Sequence, residues 1–150
     1  MKTEKLTKKD MLPTKFEPER SNRFVVTFKD GDKTPLDAFT VRSYQTAPFK
    51  KSFWSKKIVL ENNGLIVTRH YSPIAPSVTQ CAWDLLQTQK KIMIEVKLLD
   101  PVGTVVQHQK FMGCKLKNFT ISDLNYDPTP PDQLIMIDLY FTCDHVDLEY

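Results

Sequence analysis

The sequence predicts a mainly β protein: an antiparallel β-sandwich or barrel of about seven or eight strands, with one α-helix on its flank at about residues 77–89. Three observations carry this. Ile92, Ile94, Val96 and Leu98 alternate with Glu95 and Lys97, and Ile135, Ile137, Leu139, Phe141 and Cys143 alternate with Asp138, Tyr140 and Thr142; period-2 patterns of this kind place apolar side chains on one face of a strand. Turn chemistry of the hairpin kind recurs, at Asn63-Gly64 and at Asp100-Pro101-Val102-Gly103. Only one stretch has a helical apolar stripe: Val78, Cys81, Ala82, Leu85 and Leu86, behind the capping-box spacing of Ser77 and Gln80.

In chain order, residues 1–22 read as an extended N-terminal arm. A polar charge run leads into Pro13 and Pro18, which obstruct regular pairing, while Leu12 and Phe16 could pin the arm to a neighbouring surface. Residues 23–150 read as a single β domain. Arg23–Phe28 is rich in β-branched and aromatic residues, and Lys-Asp-Gly-Asp-Lys then marks a turn. Ala38–Gln45 alternates again, with Phe39 and Val41 on one side. Pro48–Lys57 is too charged and irregular for a buried strand. Lys57–Tyr71 reads as a hairpin turning at Asn63-Gly64. After the helix come a strand at 91–98, the Asp100 turn, a strand continuing to about Phe111, another from Cys114 to Ile121, a rigid Pro-rich loop, and a long strand over Gln133–Cys143.

Composition excludes several classes. A chain of 150 residues with 41% hydrophobic and 26% charged residues is globular in character and long enough to bury a core. The net charge of +3 is unevenly placed: the first 75 residues carry 15 Lys/Arg against 8 Asp/Glu, and the rest carry 6 against 10. The charged N-terminus has no apolar signal-peptide core, and no apolar run approaches a membrane span, so synthesis in a reducing cytoplasm and no membrane anchor are expected. Cys81, Cys114 and Cys143 are dispersed and odd in number, which points to reduced thiols.

No catalytic pattern stands out. There is no GxSxG, and the four glycines are isolated, so no phosphate cradle is predicted. His70, His108 and His145 make no metal-ligand spacing; the nearest approach is Cys143 and His145 with Cys114, and a buried thiol beside a surface imidazole explains these as well. Asp127 and Asp132 flank the Pro-rich loop as turn caps, and the Asn118-Phe119-Thr120 sequon lacks a secretory context. The expectation is a protein that is not an enzyme and has no cofactor or metal. The sharpest local feature is Pro48–Lys57, where Phe49, Phe53 and Trp54 interleave with Lys50, Lys51, Lys56 and Lys57. Such a stretch either stacks single-stranded nucleic acid or buries its rings against a partner protein while the lysines stay wet. Its place in a loop favours the partner.

The order of segments resembles a known family. Lys15–Phe28 (KFEPERSNRFVVTF), then Leu98–Val106 (LLDPVGTVV), Phe111–Asp127 (FMGCKLKNFTISDLNYD) and Leu134–Tyr150 (LIMIDLYFTCDHVDLEY) are similar to the tail tube proteins of contractile-tailed bacteriophages, which are related to type VI secretion tube proteins. The resemblance spans roughly residues 16–150 and offers no catalytic residue to transfer. It implies a virion structural protein, assembled in the host cytoplasm. Copies would form hexameric rings stacked into a tube, with tail sheath and baseplate proteins as partners and DNA passing through the lumen without specific binding. It also admits a baseplate, tail-terminus or injection-system role, and the residues alone leave a single-stranded nucleic-acid-binding barrel open. On the tube reading, Phe53, Trp54, Ile58, Leu60, Leu65 and Val67 are the candidates for contacts between subunits; the residues that face the lumen are not legible, and a lumen that is not strongly basic is expected because DNA must slide.

Overall fold

The computed structural model describes residues 23–73, 77–122, 126 and 134–149. The predicted N-terminal arm and the Pro-rich loop at 127–132 lie outside them. Among the described residues nine strands make one curled antiparallel sheet that forms a half-barrel, and seven of the nine have five or more residues. They are β1 (Phe24–Lys29), β2 (Val41–Thr46), β3 (Phe49–Lys51), β4 (Ile58–Leu60), β5 (Ile66–Tyr71), β6 (Ile92–Leu99), β7 (Val105–Ile121), β8 (Met136–Thr142) and β9 (His145–Glu149). Among the described residues a single α-helix, α1 (Val78–Thr88), packs on β7 and β8.

The sheet turns a corner along β7. The first half of β7 pairs with β6 on one side and β9 on the other, and its second half pairs with β8. The sequence reading divides this strand at Met112-Gly113; the chain instead runs through as one 17-residue strand with a bulge there. Gly113 takes φ +64, and a methyl group on it would sit 2.0 Å from the Asp144 carboxylate. The positive φ favours glycine, as bulges of this kind require, and any larger residue would also have to displace the Asp144 side chain. Opposite the bulge the strand predicted over Gln133–Cys143 ends as β8 at Thr142, and beyond Cys143–Asp144 the chain continues as a further strand, β9, with Asp144 N–H donating to Met112 O at 2.9 Å.

The hairpin predicted over 57–71 is corrected. β4 pairs with β3 and β9, whereas β5 pairs with β2 and β8, so the two predicted arms belong to different parts of the sheet. Asn62 rather than Gly64 takes the left-handed conformation, at φ 54, within a short 3-10 turn. Gly64 is there for space: a methyl group on it would lie 2.1 Å from Ala47 Cβ and 2.9 Å from Glu61 O. The real hairpin is β3–β4: β3 and the tip come from the stretch too charged for a buried strand, and β3 is exposed, whereas β4 follows that stretch and carries Leu60 into the core. Ala38–Thr40 is likewise a 3-10 turn capped by Asp37, not the start of a strand.

The helix lies within one residue of its predicted ends. Ser77 Oγ accepts from Gln80 N at 3.1 Å, but the Gln80 amide donates to Asp84 rather than closing the capping box. Val78, Ala82 and Leu85 are buried, with Cys81 and Leu86 packed at the margin. The core beneath holds Val26, Phe28, Ile94, Val96, Phe111, Ile137, Leu139 and Phe141, joined by ring contacts such as Phe28–Phe141 at 6.0 Å. No helix among the described residues is long and apolar enough to cross a membrane.

Candidate self-assembly surface

The β3–β4 hairpin ends in a rigid tip. Ser52 N–H donates to Lys57 O at 2.7 Å and Lys56 N–H to Ser52 O at 3.2 Å, with Lys56 at φ 58. The Ser52 and Ser55 hydroxyls accept from the Ser55 and Lys57 backbone. This closure pushes residues 53 and 54 outward: Phe53 is 86% and Trp54 90% exposed, their rings edge to face with centroids 5.4 Å apart. Holding two large apolar rings in water opposes their hydrophobic tendency by a few kcal/mol in total. The base of the hairpin is anchored by Phe49, which stacks on the buried Phe111 at 6.2 Å.

A second exposed apolar region lies at the far end of β8. Phe39, 93% exposed, sits with Tyr71, Leu134 and Ile135 around a cleft of about 350 Å³, whose remaining lining includes Asp37 and Thr40. Asp37 Oδ1 accepts from Phe39 N at 2.9 Å, which fixes the turn that presents the ring. Arg42 lies over the Tyr71 ring, 5.6 Å from its centre, and donates to its hydroxyl at 3.1 Å. None of these cleft residues was singled out from the sequence as a contact. The usable signal was Asp37 as a cap two residues before an aromatic, a pattern that ends a turn rather than starts a strand.

Strand margins add to this surface. Among the described residues β1 pairs only with β6, β2 only with β5 and β3 only with β4, so each has one side without a strand neighbour. The corresponding side of β7's second half is met by the helix end, where the Gln89 amide donates to Leu116 O at 3.1 Å. Unpaired strand edges invite pairing with another chain.

No known sequence family matches the chain, and no curated protein does. Solved structures do match. The sheath/tube terminator of an extracellular contractile injection system, in its extended state, aligns with TM-score 0.65 at 11% identity over 89% of this chain and 98% of that one. A chain of the sheath-tube complex of such a system aligns at 0.63 and 15% identity, over 96% and 99%. Hcp1 from Salmonella typhimurium aligns at 0.55 and 11% identity, over 85% and 87%. The chain has the tube-protein fold.

On the tube-protein fold the residues expected at subunit contacts divide. Phe53 and Trp54 form the tip, and Ile58 is exposed on the strand beside it. Leu60 is 4% exposed and lies in the core, so it is not available to a neighbour. Ile58 lies on the same face of β4 two residues earlier, towards the tip, so it is the distance from the tip rather than the alternation that separates the exposed residue from the buried one. Leu65 and Val67 are half-buried; in β5 the inward set is Ile66, Thr68 and His70, which leaves Val67 on the outer face.

The outer face of the tube-protein sheet carries a charge ladder across four strands. Lys29 Nζ lies 3.2 Å from both Glu95 carboxylate oxygens, His108 Nε2 lies 3.4 Å from Glu95 Oε2, and Glu149 meets both His108 and Lys110. The sequence pattern places Glu95 outward on β6, yet it is only 3% exposed. Burial pushes its carboxyl up; the Lys29 hydrogen bond and charge, with His108 and Lys97, outweigh this and hold it below the ordinary carboxylate range.

The thiols are placed for packing. Burial is the main cause that pushes Cys114 well up and Cys143 up to about 11, so both are protonated at neutral pH and poor nucleophiles. Among the described residues no three His, Cys, Asp or Glu side chains are grouped to hold a metal. An open cavity of about 580 Å³ between the β3–β4 hairpin and the β8–β9 break includes Cys143, Lys50 and Asp144, with no activated nucleophile and base paired in it.

Proposed function

We propose that this chain is a structural subunit that assembles with copies of itself into hexameric rings stacked as the tube of a phage tail or related contractile injection system. The observation that carries it is the coincidence of a tube-protein fold over nearly the whole chain with a rigid aromatic tip, an apolar cleft and one-sided strand margins on a single subunit. Copies that join strand margin to strand margin by a head-to-tail operation close into rings, and ring-to-ring contacts then extend a filament. The uneven charge of the two halves of the sequence favours one orientation of such contacts. In this reading sheath and baseplate proteins are the outer partners, the tail of the particle is the location, and a passenger such as DNA moves through a lumen that does not grip it. Neither a cofactor nor catalysis enters.

A tube terminator is the second reading, because the match to a sheath/tube terminator, at TM-score 0.65, is as good as the match to a chain of a sheath-tube complex, at 0.63. A terminator would stop at one ring. The nucleic-acid-binding reading is disfavoured by the tip itself. Its two rings are set at 90° to one another, so they cannot offer parallel faces to successive bases.

Sedimentation velocity over a wide range of protein concentration tests the proposal. Growth through ring-sized to much larger species is expected; a plateau at one ring supports the terminator; a monomer boundary at every concentration overturns both.

A further inference from the structure

We infer that the Phe53–Trp54 tip of one copy inserts into the Phe39–Tyr71–Leu134–Ile135 cleft of a second copy, as the anchoring contact of self-assembly. The inference rests on the proposed self-assembly and names the surfaces that meet.

Position supports it. Along the β8–β9 run the cleft lies at the start, where Tyr71 pairs with Met136, and the tip projects past the other end, where Ile58 pairs with Val146. The ten steps from Met136 to Val146 span about 33 Å at strand rise, so hole and knob lie at the two ends of this run. A knob and a hole on different patches generate a heterologous contact, the kind that propagates from copy to copy.

Shape and preparation support it as well. The tip is closed by backbone hydrogen bonds and the cleft is set by the Asp37 turn and the Arg42–Tyr71 contact, so both sides are ordered before they meet. A cleft of about 350 Å³ lies at the small end of sites that take ring-sized groups. Lys50, Lys51, Lys56 and Lys57 flank the tip; among the described residues Asp37 is the one charged residue lining the cleft, with Arg42 at its Tyr71 wall, so the match rests on apolar surface rather than on charge. Two aromatic rings bury roughly 300–500 Å², less than the ~800 Å² per partner of a stable interface. The contact is therefore a hot spot within a larger interface that the strand margins complete.

Variants of the full chain that each add one cysteine test it, in a background where the part-exposed native thiols Cys81 and Cys143 are replaced by alanine and Cys114 stays buried. Trp54→Cys and Ile135→Cys, mixed in equal amounts and oxidised, should give a disulfide-linked pair in at least about tenfold higher yield than either variant alone. Phe53→Ala with Trp54→Ala, and separately Leu134→Asp with Ile135→Asp, should each raise the concentration at which assemblies form by about tenfold or more. These side chains are exposed, so an unchanged circular dichroism spectrum is expected and confirms folding. If the wild type assembles but the mixture does not cross-link and the alanine variant assembles normally, the pairing is wrong while self-assembly stands. Assembly lost only with the cleft variant assigns the cleft to another segment, the N-terminal stretch 1–22 first, and overturns the pairing. A wild type that stays monomeric overturns the pairing and the proposed function together.

Discussion

His70 is a fully buried imidazole with both nitrogens engaged. Thr40 Oγ1 donates to Asp37 O at 2.8 Å, so it can only accept from His70 Nδ1 at 2.9 Å; Nε2 is then left to accept from Thr68 Oγ1 at 2.8 Å. The neutral ring is satisfied in place, whereas charging it would require the Thr68 hydroxyl to turn and would bury a cation. Burial, partly offset by the Asp138 charge, lowers the pKa to about 4 from an ordinary 6.5. As pH falls below 6.5 the unfolded chain takes a proton that the folded chain refuses until about pH 4, so stability is complete above 6.5 and drains away between the two values. The loss is roughly 3 kcal/mol, and denaturant unfolding from pH 7.5 to 4.5 should show it. His70→Gln should flatten that slope. Glu95, held low by Lys29, adds a further loss at still lower pH, once its carboxylate is protonated. Gly64 gives a second residue-scale expectation: Gly64→Ala forces a methyl group against Ala47 and the Glu61 carbonyl. It should cost about 1–3 kcal/mol in chemical denaturation.

At the scale of elements, the helix illustrates what local chemistry supplies. Ser77→Ala removes the side chain that accepts from Gln80 N and should lower unfolding free energy by about 1 kcal/mol, measurable as a shifted denaturation midpoint. This helix, the Asp100 turn and the inward phases of β6 and β8 were legible in the sequence because each depends on neighbours a few residues apart. Asp100 Oδ1 does accept from Val102 N and Thr104 N. The Asn63-Gly64 hairpin was misread because a glycine needed for contact with Ala47, far along the chain, looks the same as one needed for a positive φ. Glu95 was misread for a similar reason: alternation gives the side of the sheet, not what covers it. The exposure of the aromatic tip was legible, since Phe53 and Trp54 fall in a charged loop rather than on a sheet face. The cleft was not, because Phe39, Tyr71 and Ile135 come together only through the pairing of β2, β5 and β8.

At the scale of the whole molecule, the fold leaves its own work unfinished. Three strands lack a second neighbour among the described residues, and aromatic surface stands in water at both ends of the β8–β9 run. An isolated soluble domain ordinarily covers or blunts such features, and they mark interaction sites where they persist. A subunit built to be completed by copies of itself needs no pocket and no activated side chain. Single-stranded DNA is expected to bind weakly and without defined stoichiometry in fluorescence anisotropy at physiological salt; tight, salt-dependent binding would favour the nucleic-acid reading. The most direct measurement is electron microscopy of the concentrated, purified chain in negative stain. Rings with a central hole, alone or stacked into hollow tubes, are the predicted result. Uniform small particles without a hole, at concentrations well above those in an assembling cell, would contradict the account.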